Sequence, residues 1–404
     1  MNQSKTKYNF KFRWLPMKEL RSNESRSNPF PIFKMLRENS PIRWDEERGT
    51  WDVFRYKDIY NILQQPMLFN SLPSPAFGDG TTVVTMNPPQ HKKYRDLLNK
   101  LFTPREMRKL EGRIRDIVVD LIHETKDKDE IDIVKDLAEP LPLYVIADIL
   151  GIPVEKRKTL KELSMTAFGS SESATEEDLA QFRIVFAEAL GQLRIILEEA
   201  IEEKRRNPQN DLISKLIDAE IDGKRMPEEH LIGNCLLLLA AGNETTTNLI
   251  SSGVRVLIEQ PNIEEQLRND SSLIPKHVEE TLRYYSPVKT IFRKVTEDME
   301  FNGHHFKKGD PINTWLMSAN LDEEIYEDAH LFKLDRKFTK HPHMAFGNGI
   351  HFCLGAPLAR LEAQIVFKVL LDMFPKIEMI PETEWQTVAS EISFGLKTLR
   401  LRNF

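Results

Sequence analysis

Cys353 lies in the run Phe346-Gly347-Asn348-Gly349-Ile350-His351-Phe352-Cys353-Leu354-Gly355, whose glycines let the backbone turn tightly and pass close to a flat partner. Amides in such a loop can point at the sulfur and stabilise a thiolate, which makes Cys353 a candidate metal ligand. From Ala356 the apolar residues Leu358, Leu361, Ile365, Val369 and Met373 recur every three or four positions. That spacing predicts a helix whose positive end faces the sulfur and lowers the thiol pKa. The plainer alternative is an inert buried thiol beside a turn.

A second cluster is Ala241-Gly242-Asn243-Glu244-Thr245-Thr246-Thr247. It follows a stretch from Pro227 that is apolar nearly all round, as befits a helix running through the middle of a protein. Glycine and a run of hydroxyls weaken a helix and predict a kink here. A buried acid beside a threonine costs stability unless it has partners or a task. Cys235, two turns earlier and without a glycine loop, reads as core. Elsewhere Pro88 and Pro89 open a helix that sets His91 and Arg95 four apart on one face, two cationic donors for one acidic group or simply a solvated basic face. Glu280 and Arg283 stand three apart on another helix, an ordinary pair by themselves.

Together these motifs resemble the cytochrome P450 family, in family order and from about residue 30 to the C-terminus. The cysteine loop matches the haem-ligand pattern Phe-Gly-x-Gly-x-(His/Arg)-x-Cys-x-Gly at every fixed position. Residues 241–245 match (Ala/Gly)-Gly-x-(Asp/Glu)-Thr, and Glu280-Thr-Leu-Arg283 matches Glu-x-x-Arg, completed by Arg336. The resemblance implies a mainly α fold with a minor β-sheet portion, a single domain over 1–404 with residues 1–30 as an irregular lead-in, and haem b as cofactor. Cys353 would be the axial thiolate, a ligand that favours O–O cleavage. His91, Arg95, Arg293 and His351 would hold the propionates, and Phe346, Gly347, Ala241 and Gly242 would lie against the macrocycle.

By the same resemblance Thr245 would donate a hydrogen bond where oxygen is activated and Glu244 would relay protons from solvent. Glu280, Arg283 and Arg336 would lock the cysteine loop from behind. Leu237, Ala240, Ala241, Val288, Thr290 and Ile291 would line the substrate pocket, with Phe394 entering from the turn Ser393–Leu396. Lys289 is a charge among these apolar positions whose direction the sequence leaves open. One departure is Asn87, where many relatives have Asp, expected to affect the helix start and not the chemistry.

The elements that must carry these residues are legible in outline. Pro41–Trp44 and Trp51–Phe54 read as a small hairpin, Asp58 to Gln64 as a helix, and Asn70 to Asn87 as a long loop, often a lid or a wall. Helices to about Ser164 and from about Glu176, separated by the small-residue break Ala167–Thr175, correspond to the family's mobile roof. Strand signals alternate around Gly303 and Gly309. Lys92, Lys93, Arg95, Lys100, Arg105, Arg108 and Lys109 outnumber Asp96 and Glu106, a local positive patch. The stretch lacks aromatic interleaving for base stacking, so an acidic redox protein fits it better than nucleic acid.

Composition sets the outer bounds. The chain has 404 residues, 40% hydrophobic, with a net charge of -6, which gives no global reason to bind nucleic acid. Two cysteines make no disulfide framework and suit a reducing cytoplasm. Lysines and arginines intersperse the first twenty residues, and the longest apolar stretch, Leu231 to Ala241, falls far short of the roughly 20 residues a bilayer needs, so no membrane anchor is expected. The expected activity is hydroxylation of a lipophilic small molecule (steroid, terpenoid or fatty-acid-like) with O2. Electrons would come from NAD(P)H through a separate reductase and a ferredoxin or flavodoxin. Two alternatives are an H2O2-driven peroxygenase, whose members generally lack the acid–alcohol pair, and a non-catalytic haem sensor or carrier.

Overall fold

The computed structural model describes residues 15–73, 77–168, 176–380 and 385–402. Its axis is the central helix Glu228–Glu259, 32 residues and so about 48 Å long. Helices Pro140–Leu150, Glu176–Arg206, Ile274–Tyr284 and Ala356–Met373 all pack on it, which is why its sequence is apolar on nearly every face. The expected kink at 241–247 does not interrupt it. The threonine hydroxyls bond back within the helix, Thr245 Oγ1 to the Ala241 carbonyl at 2.8 Å and Thr247 Oγ1 to the Asn243 carbonyl at 3.0 Å, so they leave the ladder intact.

The two strands read as a hairpin, β1 (Ile42–Asp45) and β2 (Thr50–Val53), do pair antiparallel, with Ile42 opposite Val53. They are one edge of something larger. With β3 (Phe69–Ser71), β4 (Ile291–Val295) and β5 (Pro311–Thr314) they form a five-stranded sheet in the order β1-β2-β5-β4-β3. β5 runs parallel to β2 and antiparallel to β4. The β3–β4 register sets Ser71 opposite Arg293, two residues far apart in sequence. The strand signals around Gly303 and Gly309 belong to a separate two-stranded unit, Met299–Phe301 with His304–Phe306, and to the entry into β5.

Helix Pro140–Leu150 stops at Gly151, whose φ of 79° gives the left-handed cap the sequence signals. The first roof helix, Arg157–Phe168, runs past the expected end at Ser164, and the second, Glu176–Arg206, begins where expected. Residues 169–175, most of the break between them, lie outside the described residues. Ahead of β1, Lys18–Leu20 and Asn23–Ser27 are short helical turns and Met17 and Leu20 are buried, so this part of the lead-in is packed. The segment 385–396 lies against the central helix: a Cβ on Gly395 would stand 1.8 Å from Asn248 Oδ1, so only glycine fits there.

Candidate active site

The cysteine loop is wound by its glycines and held from outside. Gly347 and Gly349 adopt φ of 70° and 72°, and a Cβ on Gly349 would meet the Leu63 carbonyl oxygen at 2.2 Å. The Cys353 amide donates to the Phe346 carbonyl at 2.9 Å. The sulfur accepts from the amides of Gly355 and Ala356, the latter the first residue of helix Ala356–Met373, so the helix N-terminus does face it. The expected drop in thiol pKa is overturned: burial pushes the Cys353 thiol up and outweighs the amides and Arg95, which pull it down. Amides alone do not make this buried sulfur an anion. A bound cation would.

Across from the sulfur, one stripe of the central helix faces a cavity with about 1440 Å³ between its lining atoms, part of it open to solvent. Leu237, Ala241, Gly242 and Thr245 line it on that side, and Phe346, Gly347, His351 and Cys353 on the other. Gly242 has open space where a Cβ would be, which lets a group approach the helix backbone. Val288 and Ile291 complete the expected apolar wall. Three expected lining residues turn elsewhere. Ala240 lies off the stripe and is buried; Thr290 is fully buried with its hydroxyl on the Thr314 carbonyl at 2.9 Å; Phe394 stacks on Tyr285 with centroids 5.4 Å apart. Val83 and Val84, from the long loop, line the cavity instead. Asn234 straps that loop to the central helix, accepting from Val83 N at 3.0 Å, and a polar residue in so apolar a helix was the available signal.

One rim of the site gathers basic side chains. The His91 and His351 rings lie 4.3 Å apart, Arg95 lines the cavity, and Arg293 is buried beside them. None of the four forms an ion pair with a described acid, and His91 Nε2 has no partner. Burial pushes His91 down to about 4 and Arg293 to about 10, and Arg95 and Arg293 depress His91 further. His351 is likewise pushed down, by burial and then by Arg293, His91 and Arg95. The imidazoles are therefore neutral and the two guanidiniums carry the charge; unpaired buried cations are costly, and two carboxylates of a flat cofactor would neutralise them. Ser71 Oγ lies 3.0 Å from His351 Nε2, and Asn87 Oδ1 accepts from Ser71 N at 2.9 Å. Asn87 thus holds β3 where Ser71 meets His351, a contact its sequence context did not suggest.

Glu244 is half-buried, with the Ser393 hydroxyl on its carboxyl, and burial pushes it up to about 7 against the opposing effects of Ser393 and Lys289. Lys289 points away from the cavity, its Nζ donating to the Ser390 carbonyl. A second acid, Glu362 of helix Ala356–Met373, lines the cavity; it is buried, its Oε2 has no partner, and burial pushes it up to about 8. Since that lies above the unfolded value, the folded protein keeps a proton the unfolded chain loses, and stability falls as pH rises from about 4.5 towards about 8. Glu362→Gln should therefore unfold at a higher temperature than the parent at pH 8, with the gap shrinking towards pH 5. A pH-independent gap in thermal midpoints would contradict this.

Behind the loop, Glu280 and Arg283 are buried and joined at 2.6 Å and 2.9 Å, and Arg336 reaches Glu280 Oε1 at 3.0 Å. Arg360 crosses the Phe346 ring at 4.5 Å and pairs with Glu279 at 2.6 Å. The basic patch is thinner than the sequence implies. Arg95 turns to the cavity, while Lys92, Lys93 and Lys109 pair with Asp96, Asp222 and Glu106. Lys100, Arg105 and Arg108 remain exposed, without ion pairs among the described residues.

A lone cysteine under a helix N-terminus, a cationic rim built for two carboxylates and an acid–alcohol pair on the facing helix define a haem-thiolate enzyme. Residues 41–402 match the family model Cytochrome P450, and the chain belongs to that family of haem b monooxygenases. Cytochrome P450 109 from Bacillus spizizenii is 42% identical over 390 residues, 96% of this chain and 95% of that protein. The crystal structure of CYP109E1 from Bacillus megaterium in complex with testosterone has a TM-score of 0.87 at 40% identity, covering 95% of this chain and 99% of that one. The corticosterone complex of the same enzyme has a TM-score of 0.86 at 41% identity, covering 94% and 99%. Among the described residues no helix is long and apolar enough to cross a membrane.

Proposed function

We propose that this protein uses O2 to hydroxylate a lipophilic molecule of steroid-like size, with electrons from NAD(P)H delivered by a separate reductase and a ferredoxin or flavodoxin. The observation that carries the reading is Thr245 on the cavity wall facing Cys353, with the carboxyl of its chain neighbour Glu244 held by Ser393 behind that wall. Haem held by Cys353, His91, Arg95, Arg293 and His351 supplies oxygen activation when bound. The chain supplies the rest. Leu237, Val288 and Ile291 offer an apolar surface that orients a lipophilic substrate and excludes water. Thr245 holds a proton at Oγ1 beside the space left by Gly242, and Glu244 holds the next one. A carboxyl lifted to about 7 is suited to giving and regaining a proton at neutral pH.

The steroid preference is supported by the testosterone and corticosterone complexes of CYP109E1. Lys100, Arg105 and Arg108 form the surface on which an acidic electron donor would dock. In holoenzyme driven by NADPH through a surrogate reductase and ferredoxin, testosterone and corticosterone should shift the haem spin state and yield hydroxylated product. Thr245→Ala should keep consuming NADPH while product falls at least about ten-fold and hydrogen peroxide appears. Product formed from added hydrogen peroxide without a reductase, and indifferent to Thr245→Ala, would replace this reading by a peroxygenase.

A further inference from the structure

Asn234 is a polar residue in the most apolar stretch of the central helix, and only 1% of it is exposed. It lines the active-site cavity, and Leu238, Ala241 and Thr245 follow it along the same stripe at helical spacing. From Asn234 to Thr245 the helix rises about 16 Å, so the two mark opposite ends of that wall.

The side-chain amide of Asn234 is spent on backbone. Oδ1 accepts from Val83 N at 3.0 Å, while Nδ2 donates to the His230 carbonyl at 2.7 Å and reaches the Thr81 carbonyl at 3.5 Å. One N–H donor and two carbonyl acceptors fix which end of the amide is which. The preceding residue, Gly233, lets the loop come this close: a Cβ there would stand 3.1 Å from Thr82 Cγ2. Within the loop the Thr81 and Thr82 hydroxyls both donate to the Phe77 carbonyl, at 2.9 and 3.2 Å, and Met86 N donates to the Thr82 carbonyl at 2.9 Å. The loop is thus braced as a unit, but among the described residues no side chain outside it other than Asn234 hydrogen-bonds to residues 81–84. What this strap holds in place is apolar. Val83 and Val84 both line the cavity, and Val84 is 42% exposed, a hydrophobic surface left for a ligand to cover.

We propose that Asn234 is a specificity-determining residue that acts by position: it pins Val83 and Val84 at a fixed height over the cavity and thereby favours rigid, flat substrates over flexible chains. Asn234 works through the two valines and takes no part in the chemistry. A rigid ring system keeps its contact with Val84 only while the wall stays in place, whereas a flexible chain can follow a displaced wall. The inference deepens the steroid-like reading above and rests on it.

The test titrates parent, Asn234→Leu and Asn234→Asp holoenzymes, each with an intact reduced carbon monoxide spectrum, with testosterone and with lauric acid, following the haem spin state. Leucine has a similar volume but leaves Val83 N without its acceptor, so the ratio of testosterone to lauric acid affinity should fall about ten-fold. In NADPH-driven turnover the same variant should raise KM for testosterone and leave kcat within about two-fold. A protonated aspartic acid offers the same acceptor and donor as the amide, so at pH 6 Asn234→Asp should keep the parent's ratio. A ratio in Asn234→Leu equal to the parent's overturns the proposal, because a general loosening of the fold would weaken both ligands alike. A second measurement needs no variant: in parent holoenzyme the Val83 amide should exchange with deuterium at least about ten-fold more slowly than that of Val84, which has no acceptor among the described residues. Equal rates overturn the proposal too. If the parent responds to testosterone and Asn234→Leu keeps its ratio, only this inference falls; if the parent shows no spin-state shift with testosterone, the steroid-like reading falls and takes the inference with it.

Discussion

Cys353→Ala should lose the long-wavelength Soret band of the reduced carbon monoxide complex and all NADPH-driven turnover. The loop's other donor, His351, is turned to Ser71, while the surroundings of the sulfur are shaped for it: two amides donate to it and Arg95 lies within electrostatic reach. Burial raises the thiol, and a metal cation bound to the sulfur would favour the anion. Removing the sulfur leaves those amides without an acceptor and the iron without the ligand that favours O–O cleavage. The cationic rim is untouched, so the variant should still take up some haem through its propionates. A thiolate-type band that persists in Cys353→Ala would refute the assignment of this loop.

Arg283→Lys should have the largest effect on stability, on the order of 3 kcal/mol, the cost of losing at least two charge-assisted hydrogen bonds from a buried guanidinium. Arg283 is fully buried and uses all five N–H bonds. Two reach Glu280, at 2.9 Å and 2.6 Å, and the others reach the carbonyls of Asn320, Ala329 and Leu331 at 3.1, 2.8 and 2.9 Å. Lysine has three donors and no fixed fork, so at least two of these five hydrogen bonds would be lost. Against a total stability of roughly 5 to 15 kcal/mol, the expected result is poor recovery of holoprotein and a thermal midpoint lowered by many degrees. Arg336→Lys, at the edge of the same network, should cost clearly less. Equal midpoints for Arg283→Lys and the parent would remove the case for this network as the loop's support.

The cysteine loop was legible because its chemistry is contiguous: glycines, sulfur and the helix start fall within a dozen residues. The acid–alcohol pair was legible for the same reason. What escaped was everything set by register between distant segments. Ser71 meets His351 only because β3 pairs with β4, and Ser393 meets Glu244 only because residue 288 bridges residue 393. The resemblance named Thr290, Phe394 and Ala240 as wall residues, but strand pairing and helix rotation turned them away. The helix runs on unbroken through Gly242 because propensity is a weak guide where packing encloses a helix on every side.

Ser393 follows the cysteine loop in the chain, on a segment pressed against the central helix at Gly395. During synthesis the sulfur therefore leaves the ribosome before the surroundings of Glu244 exist. A nascent chain that captured its pigment at that moment would be coloured yet unfinished, and lesions confined to this late segment would yield a protein with a normal spectrum that wastes its reducing equivalents.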